Sequence, residues 1–124
     1  MGKAVSALKS QSEALARARR FLEKALVRCR EIGVEFVGLY IVGSRARGDY
    51  TIYSDIDLVL VLKNIKNLNT IERIYLFKDL LEPGIELRVY DADEWLSNDV
   101  LWIIEMRKEA VELTPSNKTI LSSY

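Results

Sequence analysis

The chain has 124 residues, a length that allows one domain with a single modest core. Lys plus Arg and Asp plus Glu each number 18, so the bulk charge gives no reason to expect direct binding to nucleic acid or to a membrane. The sequence contains no histidine, which excludes Ser-His-Asp triads, Cys-His pairs and imidazole metal ligands. Any catalysis must therefore use carboxylates, metal ions, Lys, Arg, Tyr or Ser.

Cysteine usage and hydropathy predict a cytoplasmic location. Cys29 is the only cysteine, so an intrachain disulfide is excluded and a reducing compartment fits best. The longest apolar stretches, residues 37–42 and 56–62, are far shorter than the roughly 18 residues that span a bilayer. Polar residues at 9–13 also interrupt the apolar run that a secretory signal would need.

The first predicted element is a long helix over residues 4–31. Apolar residues recur there at steps of three and four and form one stripe. Gly33 is a suitable residue to end the helix. The stripe consists of Val5, Leu8, Leu15, Leu22, Leu26 and Cys29. Such a helix is long for so small a domain, so we expect part of the stripe to cover a sheet and the rest to meet another chain, in a homodimer or a hetero-oligomer.

Strands and shorter helices follow. Residues 35–42 and the almost continuously apolar run 56–62 predict strands, the second of them buried on both faces. Thr70 is predicted to cap a helix over 70–81, which Pro83-Gly84 ends.

The last part of the core holds a third strand at 85–90, a helix at 95–107 that Asp93 caps, and an edge strand at 110–113. In the third strand, Ile85, Leu87 and Val89 share one face, and Glu86, Arg88 and Tyr90 share the other. The pattern predicts a single domain over 1–113, with the helix at 1–32, a catalytic core at 33–113 and a polar tail at 114–124.

The segment that carries chemical information begins with Gly43-Ser44 directly after the first strand. Without a side chain at Gly43, backbone N–H groups can approach a phosphate closely, and Ser44 adds a hydroxyl donor. Arg45 and Arg47 lie in the same turn, where either could contact phosphate oxygens. These four residues predict a nucleotide-binding turn.

Two aspartates lie where the next strand begins. Asp55 and Asp57 are two residues apart, so their carboxylates leave the same face about 6.5–7 Å apart. Two like charges so placed cost little only when a cation lies between them. Magnesium, with manganese as the alternative, binds such carboxylates together with phosphate oxygens, and two ions can clamp a phosphoryl displacement. Glu86, on the polar face of the third strand, is the predicted third metal ligand.

Each part also has a plain structural interpretation. Gly-Ser-Arg alone can be any tight turn, and Asp-x-Asp can be any strand start. Glu86 beside Arg88 could be a surface ion pair worth less than about 1 kcal/mol. The turn and the aspartates together, each next to a buried strand, favour phosphate and metal binding.

The run from Gly43 to Gly48, followed after five residues by the run from Ser54 to Leu58 that contains Asp55 and Asp57, resembles the signature of the minimal nucleotidyltransferases of the DNA polymerase β superfamily. These enzymes are often paired with HEPN-domain proteins. The resemblance implies an α/β (α+β) fold, in which helices flank a mixed sheet of about four strands. It also implies a Gly-Ser turn, with Ser54 nearby, that holds a nucleoside triphosphate, most simply ATP. Metal binding by the two aspartates is a further implication.

This chain departs from the family pattern at Glu86, where the family has Asp between hydrophobic residues. No helical acceptor domain follows the core, so we expect the acceptor to be supplied by another protein. The resemblance thus predicts nucleotidyl transfer to a hydroxyl of a HEPN-type partner, which would make the chain an antitoxin. The alternative is a noncatalytic subunit that keeps the fold and neutralises its partner by binding.

Three weaker features remain open. Tyr50 and Tyr53 could stack on a base or be ordinary surface residues. Arg88 could contact a triphosphate or pair with a nearby carboxylate. A tryptophan left exposed in the segment 95–107 would suggest a partner surface.

Overall fold

The computed structural model describes residues 2–115, with side chains from residue 6. The predicted tail therefore lies outside the described residues from position 116 onward. In chain order the elements are α1 (Gly2–Ile32), β1 (Glu35–Val42), α2 (Ser44–Arg47), β2 (Ile56–Lys63), α3 (Thr70–Tyr75), a 3-10 turn (Lys78–Leu80), β3 (Ile85–Asp91), α4 (Ala92–Leu96), α5 (Leu101–Glu109) and β4 (Val111–Leu113). Within residues 2–115, none of the helices combines the length and apolarity that a transmembrane span requires.

The four strands form one mixed sheet in the order β3-β2-β1-β4. β1 runs antiparallel to both β2 and β4, whereas β2 and β3 are parallel. The predicted fold class, a mixed sheet flanked by helices with a long first helix, is confirmed. β2 lies at the centre, which explains why its apolar run is continuous rather than alternating.

Helices cover both faces of the sheet. Alternate residues of β1 and β2, such as Leu39 and Leu58, join a core beneath α1. The intervening residues, such as Val42 and Val59, join a second core with Trp95 and the helices α4 and α5. Because side chains alternate between the two faces of a strand, the side chains of Asp57 and Glu86 lie on the face that α4 and α5 cover.

α1 lies on the first face through small and apolar residues. Ala18, Leu22 and Ala25 are fully buried, and the alanines allow the helix to approach the strands closely. The predicted apolar stripe is only partly covered, because Leu8 is 69% exposed.

Two helix predictions were wrong at their boundaries. The helix expected over 70–81 ends at Tyr75, and its N-cap is Asn69, which forms a capping box with Glu72, rather than Thr70. The Asn69 amide oxygen accepts the Glu72 N–H, so it satisfies the donor that a cap must satisfy.

The helix expected over 95–107 is two helices. Ser97 adopts an extended conformation that ends α4, and α5 begins at Leu101. The cap of α4 is Asp91, not Asp93, since the Asp91 carboxylate accepts the Asp93 N–H.

Candidate active site

The turn between β1 and α2 places Gly43 against Asp57. Gly43 has φ 76°, in the left-handed region that favours glycine. A Cβ at this position would lie 2.4 Å from Asp57 Oδ2, which is far inside van der Waals contact. The glycine therefore meets both a conformational and a steric requirement, and it lets the backbone turn directly beside the carboxylate.

The backbone donors of the turn are partly used within the protein. The Gly43 N–H donates to Glu109 Oε2 at 2.7 Å, while the N–H groups of Ala46 and Arg47 donate to the Gly43 carbonyl at 3.1 and 3.0 Å. Within the described residues, this leaves the Ser44 N–H and the Arg45 N–H as the donors of the turn without a protein acceptor. Fewer backbone N–H groups of this turn are therefore free to bind a phosphate than the sequence suggested.

Asp57 and Glu86 are direct partners in the parallel β2–β3 pair. Asp57 is half-buried, whereas Glu86 is exposed. Burial, followed by the hydrogen bond and the negative charge of Glu86, raises the pKa of Asp57 to about 6, and the Arg88 guanidinium opposes this shift. Glu86 thus lies close enough to Asp57 to disfavour ionisation of the Asp57 carboxyl group.

Asp55 lies one residue before β2 and is exposed. Its charge also raises the pKa of Asp57. Across residues 6–115, no three His, Cys, Asp or Glu side chains are gathered closely enough to hold a metal ion as they stand. Metal ligation by Asp55, Asp57 and Glu86 therefore stays a prediction.

The residues nevertheless suit a divalent cation. Their oxygens are the hard ligands that magnesium prefers. Burial, the hydrogen bond with Glu86 and the negative charges of Glu86 and Asp55 raise the pKa of Asp57, and a cation would relieve the part that comes from these charges. Gly43 also leaves space beside Asp57 that the side chain of any larger residue would fill.

Arg45 contacts the protein rather than the open side of the turn. It is 7% exposed and donates to the Ser54 carbonyl at 2.9 Å, Ser10 Oγ at 3.1 Å and Gln11 Oε1 at 3.0 Å. Its guanidinium also lies 5.2 Å from the centre of the Tyr50 ring. These contacts tie the loop before Asp55 to α1, so Arg45 and Ser54 are placed to shape the site from within.

Arg47 lies on the outer side of the turn, with its side chain 49% exposed. It pairs with Glu109 at 3.0 Å and with Asp49 at 3.2 Å. Its accessibility keeps the predicted phosphate contact open, since surface pairs of this kind are weak and exchange readily.

Glu109 is the site residue that sequence reasoning missed. A single carboxylate oxygen at the end of α5 accepts both the Gly43 N–H and the Arg47 guanidinium. The contact with Gly43 spans 66 positions in the chain. A charged residue near the end of a helix is ordinary in sequence, so only the tertiary fold reveals this role.

Among the weaker candidates, Tyr53 is 87% exposed and Trp102 is 66% exposed, whereas Trp95 is buried. An exposed tryptophan in this segment suggests a partner surface, and binding of a partner protein through Trp102 remains a prediction.

Comparison with known proteins shows the family of the chain. The sequence model of the nucleotidyltransferase domain family matches residues 22–110, so the chain belongs to that family. Its structure is also similar to the crystal structure of a proposed nucleotidyltransferase from Sulfolobus solfataricus, with 31% sequence identity, a TM-score of 0.75 and 95% of each chain covered. The comparison with curated proteins gave no match.

Proposed function

We propose that this protein is a metal-dependent nucleotidyltransferase that moves a nucleoside monophosphate from a triphosphate to an acceptor hydroxyl. Membership of the nucleotidyltransferase family supports nucleotidyl transfer in general. The observation that carries the finer proposal is the contact between Gly43 and Asp57, because it brings an anion-binding turn and an acidic metal ligand to one point.

Different residues bind the phosphates and the divalent ions. The Ser44 hydroxyl and the free N–H groups of the turn bind the phosphates, and Arg47 adds a positive charge from the outer side. Asp55 and Asp57 hold the divalent ions, with Glu86 beside Asp57. Bound magnesium would neutralise phosphate charge and orient the triphosphate for in-line displacement. Arg45 keeps the loop that carries Asp55 in place.

The transfer step requires a base as well as a nucleotide site. The acceptor oxygen forms a bond to the α-phosphorus, the bond from that phosphorus to the bridging oxygen breaks, and pyrophosphate leaves. The acceptor proton passes to Glu86, which is exposed on the same face as Asp57. A positioned carboxylate of this kind contributes by general-base catalysis.

The proposed acceptor is a hydroxyl of a HEPN-type partner protein, which would make this chain an antitoxin. The resemblance of residues 43–57 to the minimal nucleotidyltransferases motivates this proposal. The protein can be incubated with magnesium, the partner and each of the four α-phosphate-labelled triphosphates. We expect label on the partner and release of pyrophosphate, and neither with Asp55→Asn/Asp57→Asn. Absence of label with every nucleotide would contradict the proposal.

A second candidate, a noncatalytic subunit that neutralises its partner by docking, is favoured by one observation. Among the described side chains, the three carboxylates are not gathered as a finished metal site. A rescue assay separates the two candidates. Full neutralisation of the partner by the folded double mutant would favour docking, and loss of neutralisation would favour catalysis.

A further inference from the structure

β3 lies at one edge of the sheet, with β2 on one side and, within residues 2–115, no strand on the other. Such an edge offers unpaired N–H and C=O groups at every second residue. Whether these groups can accept another strand depends on which residues point outward and on what lies over them.

Hydrogen bonds at both ends of β3 fix the alternation. The Ile56 N–H of β2 donates to the Gly84 carbonyl at 2.8 Å, so the even-numbered residues point toward β2. The Val89 carbonyl instead accepts from Arg73 at 3.2 Å, and the Asp91 N–H donates to Glu94 at 2.9 Å. The odd-numbered residues therefore point to the open edge.

Three outward groups in the middle of β3 have no partner among the described residues: the N–H and C=O of Leu87 and the N–H of Val89. The Arg73–Glu94 pair, with contacts of 2.6 and 3.0 Å, occupies the edge beyond them. Leu87 is half-buried and Val89 is only 7% exposed, so the available length of edge is short and centred on Leu87, and its far end is closed.

A groove of about 600 Å³ runs over these groups. Its floor contains Leu87 and Val89, one wall contains Thr70 and Ile74 of α3, and the other wall contains Val100 and Ile103 near the start of α5. Because helices flank the edge on both sides, the edge is recessed. The α3 and α5 segments of a second copy would meet these same walls, so a single extended chain fits this edge better than the edge of a second copy does.

We propose that this groove binds an extended peptide segment of a partner protein, which adds to β3 as a fifth strand. The unpaired backbone groups supply the hydrogen bonds, and walls that contain both apolar residues, such as Ile74, and polar ones, such as Thr70, accept alternating side chains. Neighbouring strands lie about 4.8 Å apart, so a docked peptide would run directly beside Glu86 and Arg88. Delivery of an acceptor hydroxyl to Glu86 rests on the proposed function, whereas docking itself does not.

The test uses the full chain and a displayed library of random ten-residue peptides, followed by binding measurements on the selected peptides. Leu87→Pro removes an outward N–H, and Thr70→Arg fills the groove from its wall. The matched controls are Leu87→Val, which keeps the N–H, and Ile71→Arg, which places the same charge on an exposed part of α3 outside the groove. We expect affinity to fall by about tenfold or more in the first two variants and by less than about twofold in the controls.

Methylation of the peptide backbone nitrogens, one at a time, gives a second measurement that does not depend on any protein variant. Strand addition predicts that binding is lost at every second peptide position and kept at the positions between. An even loss along the peptide, equal binding to Thr70→Arg and Ile71→Arg, failure of the library to yield any binder, or self-association that Leu87→Pro abolishes would each overturn the proposal.

Discussion

Asp57 and Glu86 lie opposite one another in the parallel β2–β3 pair, and the pKa of Asp57 is raised to about 6. Neighbouring strands in a sheet bring such partners within about 5 Å. A domain that needed only stability would gain by replacing one of the two carboxylates. A cation bound by both carboxylates would offset the cost of placing them side by side.

The first prediction concerns stability as a function of pH in a chelator. The folded pKa of Asp57, about 6, lies above its ordinary value of 3.8, so folding favours the protonated form. Its contribution to the free energy of unfolding is full below about pH 4 and is lost as the pH rises through about 6. Asp57→Asn carries a neutral amide at every pH, so we expect its free energy of unfolding to lack this pH-dependent decrease.

Urea unfolding at several pH values between 4 and 7 measures this effect, with the exposed Asp99 changed to Asn as the control. At pH 7 without metal, Asp57→Asn should be at least as stable as the wild type. An Asp57→Asn variant that is less stable than the wild type at pH 7, with an unchanged slope between pH 4 and 6, would contradict a raised pKa of Asp57 in the folded protein.

The second prediction concerns the need for glycine at position 43. Gly33→Ala introduces left-handed strain alone, because φ is +74° and nothing lies within 4 Å of the new Cβ. We expect it to cost about 1–2 kcal/mol. Gly43→Ala forces alanine to φ 76° and ψ −154°, a region occupied almost only by glycine, and it also pushes a methyl group toward Asp57, so it should lose more stability and abolish nucleotide binding. Equal stability and activity of the two variants would argue against the contact with Asp57.

The third prediction concerns Glu109. Glu109→Ala leaves the Gly43 N–H without its acceptor and frees Arg47 from its ion pair. We expect a loss of about 1–3 kcal/mol in stability and a change in KM for the triphosphate. Glu105→Ala is the matched control, because Glu105 lies on the same helix and contacts exposed Lys108 at 3.4 Å. Kinetics of the two variants, compared under one condition, decide whether Glu109 orients the turn.

The fourth prediction assigns different roles to the two arginines of the turn. Arg45→Ala removes a buried guanidinium with several internal acceptors, so it should cost about 2–4 kcal/mol of stability. Arg47→Ala should change stability by less than about 1 kcal/mol but weaken triphosphate binding. Thermal unfolding and nucleotide titration, measured on both variants, test the assignment, and reversed effects would refute it.

The sequence predicted the strands because their signals are local, whereas the roles of Asp55, Asp57 and Glu86 as metal ligands stay a prediction. Residue type and spacing identify Gly43 and the buried run of β2, and simple alternation places Glu86 on the polar face of β3. The role of Glu109 and the internal contacts of Arg45 depend on residues far away in the chain. The break at Ser97 also escaped detection, since a polar residue in an apolar pattern carries no strong signal for an extended backbone.

The most direct measurement for the whole account is calorimetric titration of the protein with ATP and the other three common triphosphates, with and without magnesium. The account predicts that at least one triphosphate binds only when magnesium is present, and that Asp57→Asn weakens this binding by more than about tenfold while Asp99→Asn leaves it unchanged. Binding of equal strength to Asp57→Asn, or no binding of any triphosphate in magnesium, would contradict a metal and nucleotide site at Gly43 and Asp57.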